Sequence, residues 1–336
     1  MSWPAQEIAL AYYVRQQRIV RRSVDQAQRI WRRLDLKHIE ATWQYGVSAG
    51  LVGAFTAGQA EAAAHSDAYV AAVLAADGLD SHSGGKVDPF AFAGVAADGR
   101  PLKSLAYESV LEAKWLLEEA GQAEVDAMIG GLEKLLRAVS TEVADAGRTA
   151  TGASIAGNRT INGYIRVVNP PACARCLILA GKEYGWNAGF QRHPKCDCIH
   201  VPAKLIKRGG RKHPGVLDTK AYFEGLSKAE QNRLFTQAGA EAIRDGASIT
   251  SVVNARRGMY TASAYGRSVA ATRDAATRRG AWFRAERQRA IQRGLVPTSG
   301  RGFRLMSPRL RPEEIYRLAG SRSEAIAMLH RFGYMT

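Results

Sequence analysis

Cysteine is scarce and confined. The 336-residue chain holds four, at positions 173, 176, 196 and 198. The N-terminal Met-Ser-Trp-Pro-Ala-Gln-Glu lacks a basic segment followed by an apolar one, so no secretory signal is expected and the compartment is read as reducing. In that setting clustered cysteines point to metal binding before disulfides. Long apolar runs are also missing. The one charge-free stretch of 20 residues, Ala41 to Ala60, contains Thr42, Gln44, Ser48, Thr56 and Gln59 and is otherwise rich in Ala and Gly. It gains little from lipid and reads as a tightly packed soluble helix, with no membrane partner. No solenoid-type repeat and no compositional mark of disorder, collagen or a coiled-coil rod is present. Lysine is absent from Glu241 onward, where 18 arginines face 7 acidic residues, a net of +11 out of +16 for the whole chain. A polyanion is therefore the partner class to expect, and mainly for the last third.

The chain is too long for one small core and suggests two or three packed units. Leu10, Gln17, Val24 and Trp31 recur every seven residues, with Tyr13, Val20, Ala27 and Leu34 as a companion row. This predicts a helix of about eight turns. Arg15, Arg18, Arg21, Arg22, Arg29, Arg32 and Arg33 decorate its other faces, either as a solvated surface or as a contact for nucleic acid or an acidic partner. A second, Ala-rich helix over 39–76 should pack on the first as a hairpin. Turn signals predict a surface loop over 77–101 pinned by Phe90 and Phe92. Helix resumes over 102–146, Arg148 to Asn158 reads as a linker, and Tyr164 to Val168 reads as a strand. Helices follow near 219–238, 240–245, 249–256, 312–319 and 323–332, the last with Ser323 as N-cap and Gly333 as C-cap. The expected fold is mainly α: a helical domain over 1–150, a small central zinc-stapled α+β module over 151–215, and an Arg-rich helical region over 216–336.

The chemistry concentrates in Cys173-Ala-Arg-Cys176 and, after sixteen residues, His193-Pro-Lys-Cys196-Asp-Cys198-Ile-His200. Thiolate and imidazole are ligands that Zn²⁺ selects, and a C-x₂-C knuckle sets two sulfurs on one side of a tetrahedron. Cys173, Cys176, His193 and one of Cys196 or Cys198 are the expected ligands, with His200 a weaker sixth candidate. Such a closed site would be structural. A redox or disulfide pair, or buried reduced cysteines, are the alternatives. No H-E-x-x-H supports a catalytic zinc, and no G-x-S-x-G accompanies any of the seven histidines. Ser81 and Ser83 flank His82, but a nucleophile and its base must meet through the fold. In the last third, Arg256, Arg257, Arg278, Arg279, Arg284 and Arg287 lie among Tyr260, Tyr265, Trp282 and Phe283. That mix suits phosphate contact without base-specific reading.

The stretch from Val167 through Cys176, Leu179-Ala-Gly-Lys, and Trp186-Asn-Ala-Gly-Phe-Gln-Arg-His-Pro-Lys-Cys-Asp-Cys198 resembles the signature of the tailed-phage minor head proteins typified by the Mu F protein. It is most similar to head morphogenesis proteins of actinobacterial phages. Val252 to Met259, Pro312 to Gly320 and Arg331 to Tyr334 are similar to that group too, so the resemblance spans roughly residues 80–336. It implies a low-copy protein of the capsid interior, made in the host cytoplasm, that joins the portal protein, scaffold and major capsid protein during procapsid assembly and in some members is ejected with DNA; nonspecific contact with packaged double-stranded DNA is expected from the Arg-rich last third. Some relatives are described as capsid maturation proteases, which gives the rival expectation of scaffold or coat cleavage. A zinc-containing DNA-binding protein outside the virion is the third.

Overall fold

The computed structural model describes residues 3–189, 198–205, 216–299 and 302–335. The protein is mainly helical with two small sheets, and the chain divides into two units, Met1–Pro170 with Gly181–Val216, and Pro171–Ala180 with Leu217–Thr336. Among the described residues no helix is long and apolar enough to cross a membrane.

In the first unit, α1 (Pro4–Trp31) starts at a proline whose missing N–H costs the first turn nothing. Its buried face is Ala5, Ala9, Ile19, Ser23, Ala27, Ile30 and Trp31. Of the expected seven-residue rows, Ala27, Trp31 and Leu34 are buried, while Val20 and Val24 only flank the core. The chain reverses after Arg32, where the Asp35 carboxylate accepts the Lys37 N–H at 2.9 Å. The hairpin partner is interrupted where one helix over 39–76 was expected. It consists of α2 (Ile39–Thr42), a π-helical turn over Trp43–Val47, α3 (Ser48–Ala64) and α4 (Ser66–Ala76), with His65 breaking the last two. Small residues let the helices close up: a Cβ on Gly58 would lie 2.3 Å from Ser23 Oγ of α1 and 2.8 Å from a Val143 methyl.

Beyond α4 the loop is not held by Phe90, which is 73% exposed. Instead Gln59 reaches out of α3, its Nε2 donating to Val95 O at 2.9 Å and its Oε1 accepting Gly94 N–H at 3.0 Å, and Ala96 is buried. Then come α5 (Leu102–Glu118) and α6 (Glu124–Gly157). The linker expected over 148–158 is instead the last part of α6. There the Thr151 hydroxyl donates back to Gly147 O and Ser154 donates to Asp67, so polar residues that favour loops are satisfied inside a packed helix. Leu51, Phe55, Leu102, Val110, Leu135 and Val139 form one core among these helices. Burying each such side chain contributes about 1.5–3 kcal/mol.

A second core lies where the start of α1, α4 and the end of α6 cover an antiparallel sheet of order β2-β1-β3, from β1 (Gly163–Val168), β2 (Glu183–Gly185) and β3 (Cys198–Ala203). The strand expected at Tyr164 to Val168 is its centre. Val168 pairs with Cys198 and Arg166 with His200.

The second unit begins with α7 (Ala174–Leu179), which packs on α11 (Ile249–Asn254). Where one helix was expected over 219–238 there are α8 (Thr219–Gly225), α9 (Lys228–Phe235) and the start of α10 (Gln237–Arg244). A capping box between Ser227 and Glu230 starts α9, and Thr236, at φ 68, ends it. A hairpin follows: β4 (Met259–Ala264) and β5 (Arg267–Thr272) turn at Tyr265-Gly266, both with positive φ, as a two-residue loop demands. After α12 (Ala281–Gln292) come β6 (Arg309–Leu310), which pairs with β5, α13 (Pro312–Leu318) and α14 (Arg322–Arg331). Ser321 caps α14, its Oγ accepting Glu324 N–H at 3.1 Å, in place of the expected Ser323. Gly333, at φ 68, stands past the helix end as expected.

The fixed point of this unit is Arg309, 1% exposed. Its Nε donates to Phe332 O at 2.8 Å, Nη1 to Asp274 Oδ2 at 2.8 Å, and Nη2 to Gly333 O at 3.2 Å. The guanidinium lies 4.2 Å from the centre of the Tyr334 ring, whose hydroxyl donates to Leu310 O.

Candidate functional site

The cysteine segment starts where Pro170 and Pro171 end β1, since proline offers no N–H to a strand ladder. Cys173 is the N-cap of α7, and its Sγ accepts the Cys176 N–H at 3.4 Å. The C-x₂-C spacing thus sets its two sulfurs on the first turn of one helix. Cys176 is buried and Cys173 half-buried. Two polar contacts fix α7 within the second unit: Arg175 donates to Asn254 Oδ1, and the Thr219 hydroxyl donates to Leu177 O at 2.9 Å.

Cys198 belongs to the first unit. It opens β3, is 3% exposed, and its Sγ accepts the Nε–H of Arg166 at 3.1 Å. Arg166 is itself 2% exposed, on the strand beside it. A thiolate accepts a charged N–H more strongly than a neutral thiol does, and such second donors also orient metal-bound sulfurs. His200, two residues on and on the same face of β3, is half-buried. Its ring lies 4.5 Å from that of Tyr164, and its carbonyl accepts the Tyr69 hydroxyl at 2.8 Å. Tyr69 is wholly buried and stacked on Tyr12, which pushes its phenol well above the ordinary range. A small cleft of about 40 Å³ between α1 and α6 reaches Cys198 and His200, with Tyr12, Gln16 and Gly147 on its walls. His193 and Cys196, the other expected ligands, lie outside the described residues. Among the described residues no three His, Cys, Asp or Glu side chains converge as a metal ion requires.

At the serine-histidine loop, His82 Nδ1 lies 3.1 Å from Thr160 Oγ1, whose own proton goes to Asp80 O at 2.7 Å. Ser81 Oγ accepts from Asn158 Nδ2 at 2.8 Å, and Ser83 Oγ donates to Gly85 O. Both hydroxyls therefore bond to groups other than the imidazole they flank.

Eight arginines of the last third gather at two places, the open end of the β4–β5 hairpin and the turn into and body of α12. Arg256 and Arg257 leave α11 exposed. Thr272 donates to Arg257 O at 2.9 Å and Arg273 N–H to Gly258 O at 3.0 Å, so these two meet Arg273 at the open end of the β4–β5 hairpin. The Arg273 guanidinium sits 5.4 Å from the Tyr260 ring centre. Arg278 and Arg279 are exposed on the turn into α12, and that turn is closed tightly on itself: a Cβ on Gly280 would lie 2.1 Å from Ala275 O. On α12, Arg284 is exposed, whereas Arg287 donates to Thr298 O at 2.9 Å and Arg289 pairs with Glu286. Sequence reading placed the arginines but missed the hairpin that gathers three of them. The Tyr265-Gly266 turn was its one local signal.

No curated protein and no solved structure matches the chain. The VG15 protein family does match, over residues 5–224, a range that takes in the first unit, α7 and the cysteine segment. On that coverage the chain belongs to the VG15 protein family, a family of phage proteins.

Proposed function

We propose that this phage protein is a minor component of the capsid interior that acts in head morphogenesis, joining the portal protein, scaffold and major capsid protein as the procapsid assembles. The observation that carries the reading is the Cys173-x₂-Cys176 … His193-Pro-Lys-Cys196-Asp-Cys198 segment, which lies inside the family match and resembles the minor head signature. Zinc is part of the proposal. The donor set is read from the sequence, Cys173, Cys176, His193 and one of Cys196 or Cys198, and the turn that sets Cys173 and Cys176 at the start of α7 suits a C-x₂-C knuckle. Bound there, zinc would hold the fold together and supply no reaction step. The exposed Arg256, Arg257, Arg273 and Arg279 support contact with packaged DNA through its phosphates.

The test is coexpression with the portal, scaffold and coat proteins of the same phage. Particles are purified, every chain is weighed by intact-mass spectrometry, and zinc is quantified in the same sample. The expected outcome is incorporation into particles, about one zinc per chain, and uncleaved scaffold and coat. Absence from the particles would refute the reading. So would cleavage that a single Ser or His substitution abolishes while zinc stays bound, because that result identifies a maturation protease.

A further inference from the structure

The arginines of α1 form a surface separate from those of the last third. At 100° per residue, Arg15, Arg18, Arg21, Arg22 and Arg29 fall within about 120° of arc, and Arg32 and Arg33 carry the row past the helix end. The buried face, centred on Ile19, Ser23 and Ile30, lies about 110° further round the helix. From Arg15 to Arg33 the row runs about 27 Å at 1.5 Å per residue. All seven side chains are exposed, and only Arg22 has a carboxylate partner among the described residues, Glu61 of α3. Two acidic residues of α1 share that arc, Asp25 within the row and Glu7 two turns before it. Beside the row, Arg15, Arg18, Arg21 and Arg22 line an open groove of about 510 Å³ together with His65 and Glu61.

We propose that this stripe is a binding surface for the phosphodiester backbone of duplex DNA. Three features favour that partner over an acidic protein. The row is all arginine, whose fork bonds phosphate oxygens in pairs. It is straight and long, and a duplex presents about one charge per 1.7 Å of axis, so 27 Å of stripe faces a continuous line of phosphates. It also lacks the aromatic anchors that protein interfaces use: Val14 is the one exposed large apolar side chain of α1 among the described residues. The helix is held along its buried face by the core, so little backbone entropy is lost when the stripe is occupied. The inference goes beyond the proposed function and does not rest on it.

The experiment measures binding of the full-length protein to a fluorescein-labelled 20-bp duplex of arbitrary sequence, by anisotropy, over about 50–200 mM salt. R15Q/R18Q/R21Q/R29Q is compared with wild type and with R256Q/R257Q/R279Q/R284Q, all at exposed positions. Loss of four phosphate contacts is expected to lower the slope of log K against log salt by about 3 to 4 and to weaken binding on the order of 10²-fold at about 0.1 M salt. An unchanged slope and affinity in the α1 variant, with far-UV circular dichroism like wild type, would overturn the proposal whatever the second variant does. So would tight capture of a labelled polyglutamate peptide that the α1 substitutions abolish while duplex binding persists, since that assigns the stripe to an acidic protein. Failure on either count leaves the particle experiment unaffected.

Discussion

Replacing Arg309 by methionine, which has similar length and no charge, should cost the second unit about 3–5 kcal/mol, because the guanidinium is buried and its loss removes several contacts at once, although Asp274 itself keeps 27% of its side chain in solvent. The structure shows where the loss arises. Asp274 keeps a carboxylate whose partner is gone, Phe332 and Gly333 each lose a donor to their carbonyls, and the face of Tyr334 loses a cation worth up to about 2 kcal/mol when desolvated. At a urea m-value of about 2 kcal/mol/M, the midpoint for this unit falls by roughly 1.5–2.5 M. Tyr334→Leu removes the ring and the hydroxyl that donates to Leu310 O at 2.9 Å, and it breaks the same cluster from the other side. The two changes should therefore not add. The double variant is expected to be about 1–2 kcal/mol more stable than the sum of the singles predicts. Urea unfolding of all four proteins, with amide exchange read at residues 309–334, measures both quantities. A cost below about 1 kcal/mol for R309M, or a cycle additive within about 0.5 kcal/mol, would refute the view that Arg309 ties β6 to the turn after α14.

Three further outcomes follow from single contacts. Gly131→Ala would press a methyl to 2.6 Å from Ser109 O and 2.9 Å from both Ala113 Cβ and Trp31, rigid atoms that cannot rotate away, whereas Gly53 has nothing within 4 Å. Thermal melts should show G131A destabilised by about 1–2 kcal/mol net and G53A stabilised by about 0.5–1 kcal/mol; equal stability of the two would contradict the close α5–α6 packing. Ser321→Ala should cost about 1 kcal/mol in a urea melt and Ser323→Ala close to nothing, the reverse marking Ser323 as the cap. Glu142 is half-buried, and burial, with Asp145 and Asp98 nearby, raises its carboxyl despite the N–H it accepts from Ala97 at 2.7 Å. A raised acid penalises the fold above its folded-state pKa and ceases to do so as pH falls through it. Glu142→Gln should thus melt higher than wild type at pH 7, with the advantage fading toward pH 3; a constant difference would show that the charge is not the cause.

How far the fold could be read in advance depends on whether local preference and tertiary packing agreed. They agree along α1, α5 and most of α6, where apolar spacing is dense. They disagree at 147–157, where Gly147, Thr151 and Ser154 look like loop residues and yet are buried against α1, α3 and α4, so contacts distant in sequence override propensity. Other misses were legible. Ser227-x-x-Glu230 and Ser321-x-x-Glu324 both carry the start signal that the structure uses. The candidate site divides in the same way. Thiol and imidazole spacing is a property of the chain, and so is the arginine count. The Arg166 bond to Cys198 Sγ depends on the register of β1 against β3, and the meeting of Arg256, Arg257 and Arg273 on hairpin pairing. Neither leaves a mark in local composition.

The chain enters the second unit for α7, returns to the first for β2 and β3, and only then goes back. On a ribosome, α7 emerges about 70 residues before α11, the helix it packs against. At 5–20 residues per second, Ala174, Cys176 and Leu177 wait about 4–14 s for their partner, long enough for a nascent chain to meet chaperones, oxidants or free metal. A fragment from 217 onward never receives α7 at all, and it should expose the apolar surface of α11 and aggregate more readily than the whole chain.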